Sequence, residues 1–291
     1  MDESEFENNL GKSKSAFIYI HGYKEDAEIA AFKAAQIAVK GEYSGVPTIF
    51  TWPSLERTTP EEYKKARKIA RDSAKGLADF IDIVSSSIET NEVHIIAHSM
   101  GNHVLLEAMQ YLDEDFFDGE NLGEVMLAAP DIATSSYMDF VSLNRNHFQG
   151  ITLYSSGKDI TLEISQQACR VYRASLEEKG WLSYRELQEL KTLRCGTRAG
   201  YSKADKYEPL SITGADTIDS SRVKESMSFL NVGAWHSYPF SDSKLLNDMA
   251  FLMKHGASKE TYERPNISCR SRIGNVCISP RNPPKGHYFT F

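Results

Sequence analysis

The stretch "VHIIAHSMGNHVLLEAM", residues 93–109, constrains the fold more than any other part of the chain. An apolar run of strand character leads into His98-Ser99-Met100-Gly101, and a helical pattern starts at once. A serine commonly caps a helix, so Ser99 has one structural explanation already. Its neighbours favour another. At a nucleophile elbow the serine occupies a strained strand-to-helix turn that lifts its hydroxyl above the sheet edge. The positions two before and two after must then be small, because strand and helix backbones pass close together. Gly101 meets this demand, and Ala97 stands where a first glycine is usual, giving A-H-S-M-G.

Strands and helices alternate around this turn. "AFIYIHG" reads as a first strand leaving the sheet at His21-Gly22, and "DAEIAAFKAAQIAVKG" as a helix capped by Asp26 and stopped by Gly41. "PTIFTWPS" is a second strand. Thr59, Pro60 and Glu62 predict a capping box with proline at the first helical position. Ala66, Ile69, Ser73, Leu77, Phe80, Ile81 and Val84 then lay one stripe along a single long helix. "GEVMLAAPD" and "GITLYSSGKD" are short strands ending on aspartates, "GADTIDS" is a weaker strand, and "SDSKLLNDMAFLMKHG" is a closing amphipathic helix. This alternation predicts an α/β fold: a mostly parallel sheet with helices on both faces and its sites at the carboxyl ends of the strands.

Residues 16–257 form one expected domain, preceded by a polar segment, 1–15, and followed by an extension, 258–291. Within the domain, 160–214 reads as a helical insertion before the last strand, either a cap over the site or an outer helical layer. The extension is either a hairpin packed on the domain or an element that binds a protein partner.

Composition removes several classes of function. A chain of 291 residues with 41% hydrophobic content can build its core without a metal or a disulfide. The net charge of -7, with no basic run among aromatics, excludes a general nucleic-acid surface. No apolar run approaches the roughly 20 residues that a membrane span needs. The acidic start "MDESEFENNLGKSKS" lacks the apolar core of a signal peptide, so the cytoplasm is the expected location. Cys169, Cys195, Cys269 and Cys277 fit no metal pattern. Free thiols in a reducing compartment are expected, with a Cys269–Cys277 bridge as the alternative. No metal or other cofactor is called for.

Nucleophile elbows of this kind take their partners in the order serine, acid, histidine along the chain. Asp159 ends the strand "ITLYSSGKD", and His236 lies in the loop "GAWHSYPF" before the final helix. Asp131 is the alternative acid, one strand earlier. His94 reads as a hydrogen-bonded core residue, His21 as a brace for the first turn, and His98 as pointing away from the pocket. The backbone N–H groups of Met100 and Tyr23 are the candidate oxyanion donors. Tyr23, Trp52, Tyr154, Trp235, Tyr238 and Phe240 either line an apolar acyl pocket or pack in the core.

"FIYIHGYKED", "GVPTIFTWPS", "VHIIAHSMGNHVLLEAM", "VMLAAPDI", "ITLYSSGKDITLEIS" and "HSY" together resemble a mainly bacterial family of α/β-hydrolases of unknown function, usually described as esterase- or lipase-like. The likeness covers roughly residues 16–255. It implies the α/β-hydrolase fold with Ser99, Asp159 and His236 as a catalytic triad, and no particular substrate. The expected activity is cleavage of a small-molecule carboxylic ester through an acyl-enzyme on Ser99. The alternative is a binding or scaffold protein that keeps the fold without turnover.

Overall fold

A computed structural model describes residues 10, 13–55, 59–88, 92–117, 122–201, 210, 212–221, 223 and 236–256, together with the backbone of 268–270 and 288–290. The strands are β1 (Ser15–Ile20), β2 (Val46–Phe50), β3 (Glu92–His98), β4 (Leu122–Ala128), β5 (Phe148–Ser155), β6 (Asp216–Asp219), β7 (Ser268–Arg270) and β8 (Tyr288–Thr290). They form one sheet in the order β2-β1-β3-β4-β5-β6-β8-β7. Every pairing is parallel except that of β7 with β8. The expected α/β architecture is what the chain adopts.

Side-chain alternation along the strands divides the core in two. Ile18 and Ile20 face one side, with Ile95 and Ala97; Phe17 and Tyr19 face the other, with Ile96. The first side is covered by α2 (Pro60–Asp72), α3 (Ala74–Ser87), α4 (Gly101–Ala108) and α6 (Thr134–Asn144), with the short α5 (Glu114–Phe117) beside them. The second is covered by α1 (Ala27–Lys40) and α10 (Ser243–His255), with the short α9 (Tyr238–Ser241) before α10. From β1 the chain winds outward through α1 to β2; from β3 it winds the other way through α4 to β4. The turns after β1 and β3 therefore part at the edge where two neighbouring strands send their connections to opposite faces. Such a switch point opens a crevice in an open α/β sheet, and Ser99 stands at it.

Three local expectations change. The long helix divides at Ser73, whose hydroxyl donates back to the Ile69 carbonyl at 2.9 Å, a bond that competes with the helical ladder. Thr59 caps α2 by accepting from the Glu62 N–H, but Glu62 does not return the bond. A complete capping box forms instead at Ser183 and Glu186, at the start of α8 (Tyr184–Thr192). The cysteines also differ from expectation. Cys169 and Cys195 are joined in a disulfide, with Cα atoms 5.3 Å apart. The return of the chain after α8 brings residue 195 back to α7 (Ile160–Glu177), a contact that spacing alone does not announce. The inference from free thiols to a reducing compartment falls with it. Cys277, and hence the Cys269–Cys277 alternative, lies outside the described residues.

Where it is helical, the insertion packs on α2. Ser165 of α7 meets Tyr63 of α2 at 2.7 Å, and Lys64 sits 4.1 Å from the Tyr172 ring centre. Its return segment is different, because Ala199 and Gly200 donate to the carbonyls of Ile132 and Pro130 at the carboxyl rim of the sheet. The tail contributes β8 beside β6, and antiparallel β7 beyond it, as a continuation of the sheet. Among the described residues no helix is long and apolar enough to cross a membrane.

Candidate active site

Ser99 has φ 51°, in the left-handed region that a side chain rarely adopts. Hydrogen bonds on both sides hold it there. Its N–H donates to the Ala128 carbonyl at 3.0 Å, and its carbonyl accepts from Asp131 N–H at 3.2 Å. The Asn102 amide donates to both Ala97 O, at 2.9 Å, and Ser99 O, at 3.0 Å, tying helix to strand across the turn. Strain of this kind persists only where its surroundings over-determine it. Gly101 carries the closest approach: a Cβ there would lie 2.6 Å from His21 O and 2.7 Å from Ile20 O. The small-residue demand read from the sequence is thus a backbone contact between α4 and β1.

The structure brings Ser99, His236 and Asp159 together. His236 Nε2 lies 2.6 Å from Ser99 Oγ, and His236 Nδ1 lies 2.7 Å from Asp159 Oδ2. The ionised carboxylate can only accept, so Nδ1 carries the proton and Nε2 turns a lone pair to the hydroxyl. Asp159 is fully buried, and its other oxygen accepts from Leu162 N–H at 3.1 Å, capping α7. Helix cap and histidine partner are therefore one side chain. Burial alone would lower the His236 pKa, but the charge and hydrogen bond of Asp159 outweigh it and hold the imidazole above its ordinary value. Ser99 is 5% exposed and His236 8%, so the pair lies deep.

Asp131 is not brought to His236. Its carboxylate is held by Arg198 Nε at 2.9 Å, by Ser165 Oγ at 2.6 Å and by the Tyr63 hydroxyl. The chain from β4 turns toward α7 and its return segment, and a permanent cation takes the place an imidazole would need.

The proposed oxyanion donors flank the serine. Met100 follows it, and its N–H meets no acceptor among the described residues. Tyr23 follows Gly22, where an added Cβ would come 3.0 Å from Ser99 Cβ and 2.9 Å from His98 Nδ1. His21 braces that turn as expected: its Nε2 accepts from Trp52 N–H at 3.1 Å, its carbonyl accepts from the Trp52 indole at 2.8 Å, and the two rings stack. His94 is a core residue that accepts from Glu124 N–H at 3.0 Å. Trp52, Tyr154, Tyr238 and Phe240 are buried in the two cores, which removes them as exposed pocket walls. Tyr23 packs edge-on to Tyr63, and Trp235 lies outside the described residues. No three His, Cys, Asp or Glu side chains among the described residues cluster as metal ligands would.

Polar residues packed behind His236 escaped the sequence reading. His98 does turn from the hydroxyl, yet its ring packs on His236, and its Nε2 lies 3.2 Å from the His236 carbonyl oxygen. Its Nδ1 lies 2.6 Å from Glu25 Oε1, and Lys33 Nζ reaches the same oxygen at 2.7 Å. Burial raises the Glu25 carboxyl, but His98 and Lys33 pull it well below the ordinary carboxylate range. The one available signal was strand adjacency. Ile20 pairs with Ala97, which sets the residues after β1 beside His98, and that pairing is not visible in a single chain.

Among solved structures the chain is similar to a mutant form of YbtT, a type II thioesterase from a yersiniabactin biosynthetic pathway, at 14% identity. The match covers 84% of this chain and 95% of that one, with a TM-score of 0.35. It is similar also to the Vlm2 thioesterase domain, at 14% identity over 84% of this chain and 94% of that one, with a TM-score of 0.29. No curated protein matches the sequence. A family match covers residues 2–195, beginning within the polar N-terminal segment and ending before β6 and His236. Spanning that much of the chain, it establishes that this protein belongs to the family described as "Alpha/beta hydrolase of unknown function (DUF900)".

Proposed function

We propose that the protein is a serine hydrolase that cleaves carboxylic esters through an acyl-enzyme on Ser99. One observation carries this reading: a left-handed serine whose hydroxyl lies 2.6 Å from an imidazole that is itself held at 2.7 Å by a buried carboxylate. His236 Nε2 takes the Ser99 proton as Oγ bonds to the acyl carbon, and the Asp159 charge stabilises the imidazolium. The oxyanion develops toward the N–H groups of Met100 and Tyr23, each such donor contributing about 3 kcal/mol to transition-state stabilisation. His236 then protonates the leaving alcohol. Water enters, bonds to the acyl carbon as it gives a proton to Nε2, and Nε2 passes that proton to Ser99 Oγ as the acyl bond breaks and the acid leaves. The substrate is a small-molecule ester, and no cofactor takes part.

The 5% exposure of Ser99 favours a second reading, a scaffold whose pocket never admits substrate. A fluorophosphonate probe separates the two. Hydrolysis predicts labelling of the wild type that vanishes in Ser99→Ala, with release of p-nitrophenol from short acyl esters by the wild type alone. Folded wild-type protein that neither labels nor turns over any ester would establish the scaffold.

A further inference from the structure

Arg67 is a buried cation with no counter-ion in contact among the described residues, and it lines a cleft. Its residue exposure is 9%, and its Nε has no hydrogen-bond partner. Among the described residues the guanidinium's one hydrogen bond is from Nη1 to the Cys169 sulfur, at 3.9 Å. No carboxylate among the described residues stands within ion-pair distance of it. Asp131 acts on it from further away, but Arg198, also buried, already holds that carboxylate at 2.9 Å. Two guanidinium groups thus share one acid. An uncompensated buried charge costs several kcal/mol, so such groups are as a rule paired.

Arg67 lines two clefts, of which the second, about 880 Å³, also takes in Cys169; the larger, about 1040 Å³, runs along α4 and α6 and is bounded by α2 and the end of α8. Three further observations agree. His103 lines the same cleft, and its Nε2 is buried and unpartnered. Arg71, one helical turn after Arg67, also lines it and is held by Glu107 only at 3.8 Å. Of the four acids in the lining, Asp139 is taken by Arg194 at 2.6 Å and Glu107 is turned to Arg71, which leaves Asp113 and Glu114, beyond the far end of α4. Ser99 is not part of this wall.

We propose that this cleft binds a small oxyanion, a carboxylate or a phosphate, with Arg67 as its principal ligand and Arg71 and His103 beside it. A guanidinium fork matches two oxygens of either group. Leu106, Met109 and Phe140 supply an apolar wall for a short substituent.

The test is thermal unfolding and titration calorimetry of the full chain in a zwitterionic chloride buffer, with inorganic phosphate, acetate and octanoate as separate probes. One of them is expected to raise the midpoint saturably with 1:1 stoichiometry, and the tightest names the ligand class. Arg67→Met should weaken that binding at least tenfold. It should also leave the anion-free midpoint unchanged or higher, because an unpaired charge is removed while its stem is kept. Ser99→Ala should retain the anion response in full. The proposal is overturned if none of the three probes binds saturably, if Arg67→Met binds as the wild type does, or if Arg67→Met lowers the anion-free midpoint, which marks a structural cation.

Discussion

Asp131 and Asp159 follow adjacent parallel strands, β4 and β5, and both are buried and hydrogen-bonded. Asp159 meets an imidazole at 2.7 Å, whereas Asp131 meets a guanidinium at 2.9 Å. The difference lies in the cation. An imidazole can gain and lose a proton near neutral pH, so its carboxylate can tune a base. A guanidinium keeps its charge at any accessible pH, so its carboxylate is a fixed half of an ion pair. Two similar aspartates thus have different partners: one holds an imidazole, the other neutralises a buried arginine and ties α2 to α7.

Substitution should pull the two sites apart. Asp159→Asn keeps the cap on Leu162 but leaves His236 in the wrong tautomer, and kcat on a p-nitrophenyl ester should fall about 10⁴-fold with little change in the unfolding midpoint. The pH profile sharpens this. A base must be neutral to act, and the Asp159 charge raises the pKa of His236, so the wild-type acid limb of kcat/KM should lie above the usual histidine value. The residual activity of Asp159→Asn should show that limb moved to lower pH. An unmoved limb removes Asp159 from the mechanism. Asp131→Asn should behave oppositely. Arg198 is then buried without its partner, at a cost of about 3–5 kcal/mol in denaturant unfolding, while turnover by the folded fraction stays near wild type. If Asp131→Asn instead loses more kcat than Asp159→Asn, the assignment of the acid is reversed.

The Asp131 side of the comparison leans on the disulfide, because Arg198 lies three residues beyond Cys195. Reduction should lower stability by up to about 3–4 kcal/mol for a closed loop of this length. Ester turnover at low temperature should persist, since neither sulfur touches the Ser99–His236–Asp159 group. Parallel loss of both would mean that the two sites are mechanically coupled. The smallest effect is expected at His98. His98→Asn removes the ring behind His236, and kcat should fall about 10–100-fold through misplacement of the base, with KM little changed. A matching rise in KM would mark His98 as shaping the pocket instead.

The elbow was legible because its causes are local. A strand period of two, a helix period near 3.6, and a glycine where backbones touch are all properties of a few consecutive residues. The same holds for the Asp26 cap on α1 and for the alternation that specified a parallel sheet. The serine, acid, histidine order then named Ser99, Asp159 and His236, the three that meet. Aromatic residues near the site in sequence were a poor guide to its walls, since Trp52, Tyr154, Tyr238 and Phe240 are core. Proximity along the chain says nothing about which face of a strand or helix a ring takes.

Other features depended on where distant segments came to rest. His236 lies 137 residues from Ser99 and 77 from Asp159, and only the strand order with its return loops closes those gaps. The Cys169–Cys195 bond, the Glu25 and Lys33 brace behind His98, and the capture of Asp131 by Arg198 all join elements that are neighbours in space through the sheet and its outer helices. Steric and hydrogen-bonding preferences decay within a turn or two of chain, so one strand-to-helix junction announces itself in the letters. Which acid finds which base is a property of the packed whole, because that choice is made by burial and by the charge already present at each strand end.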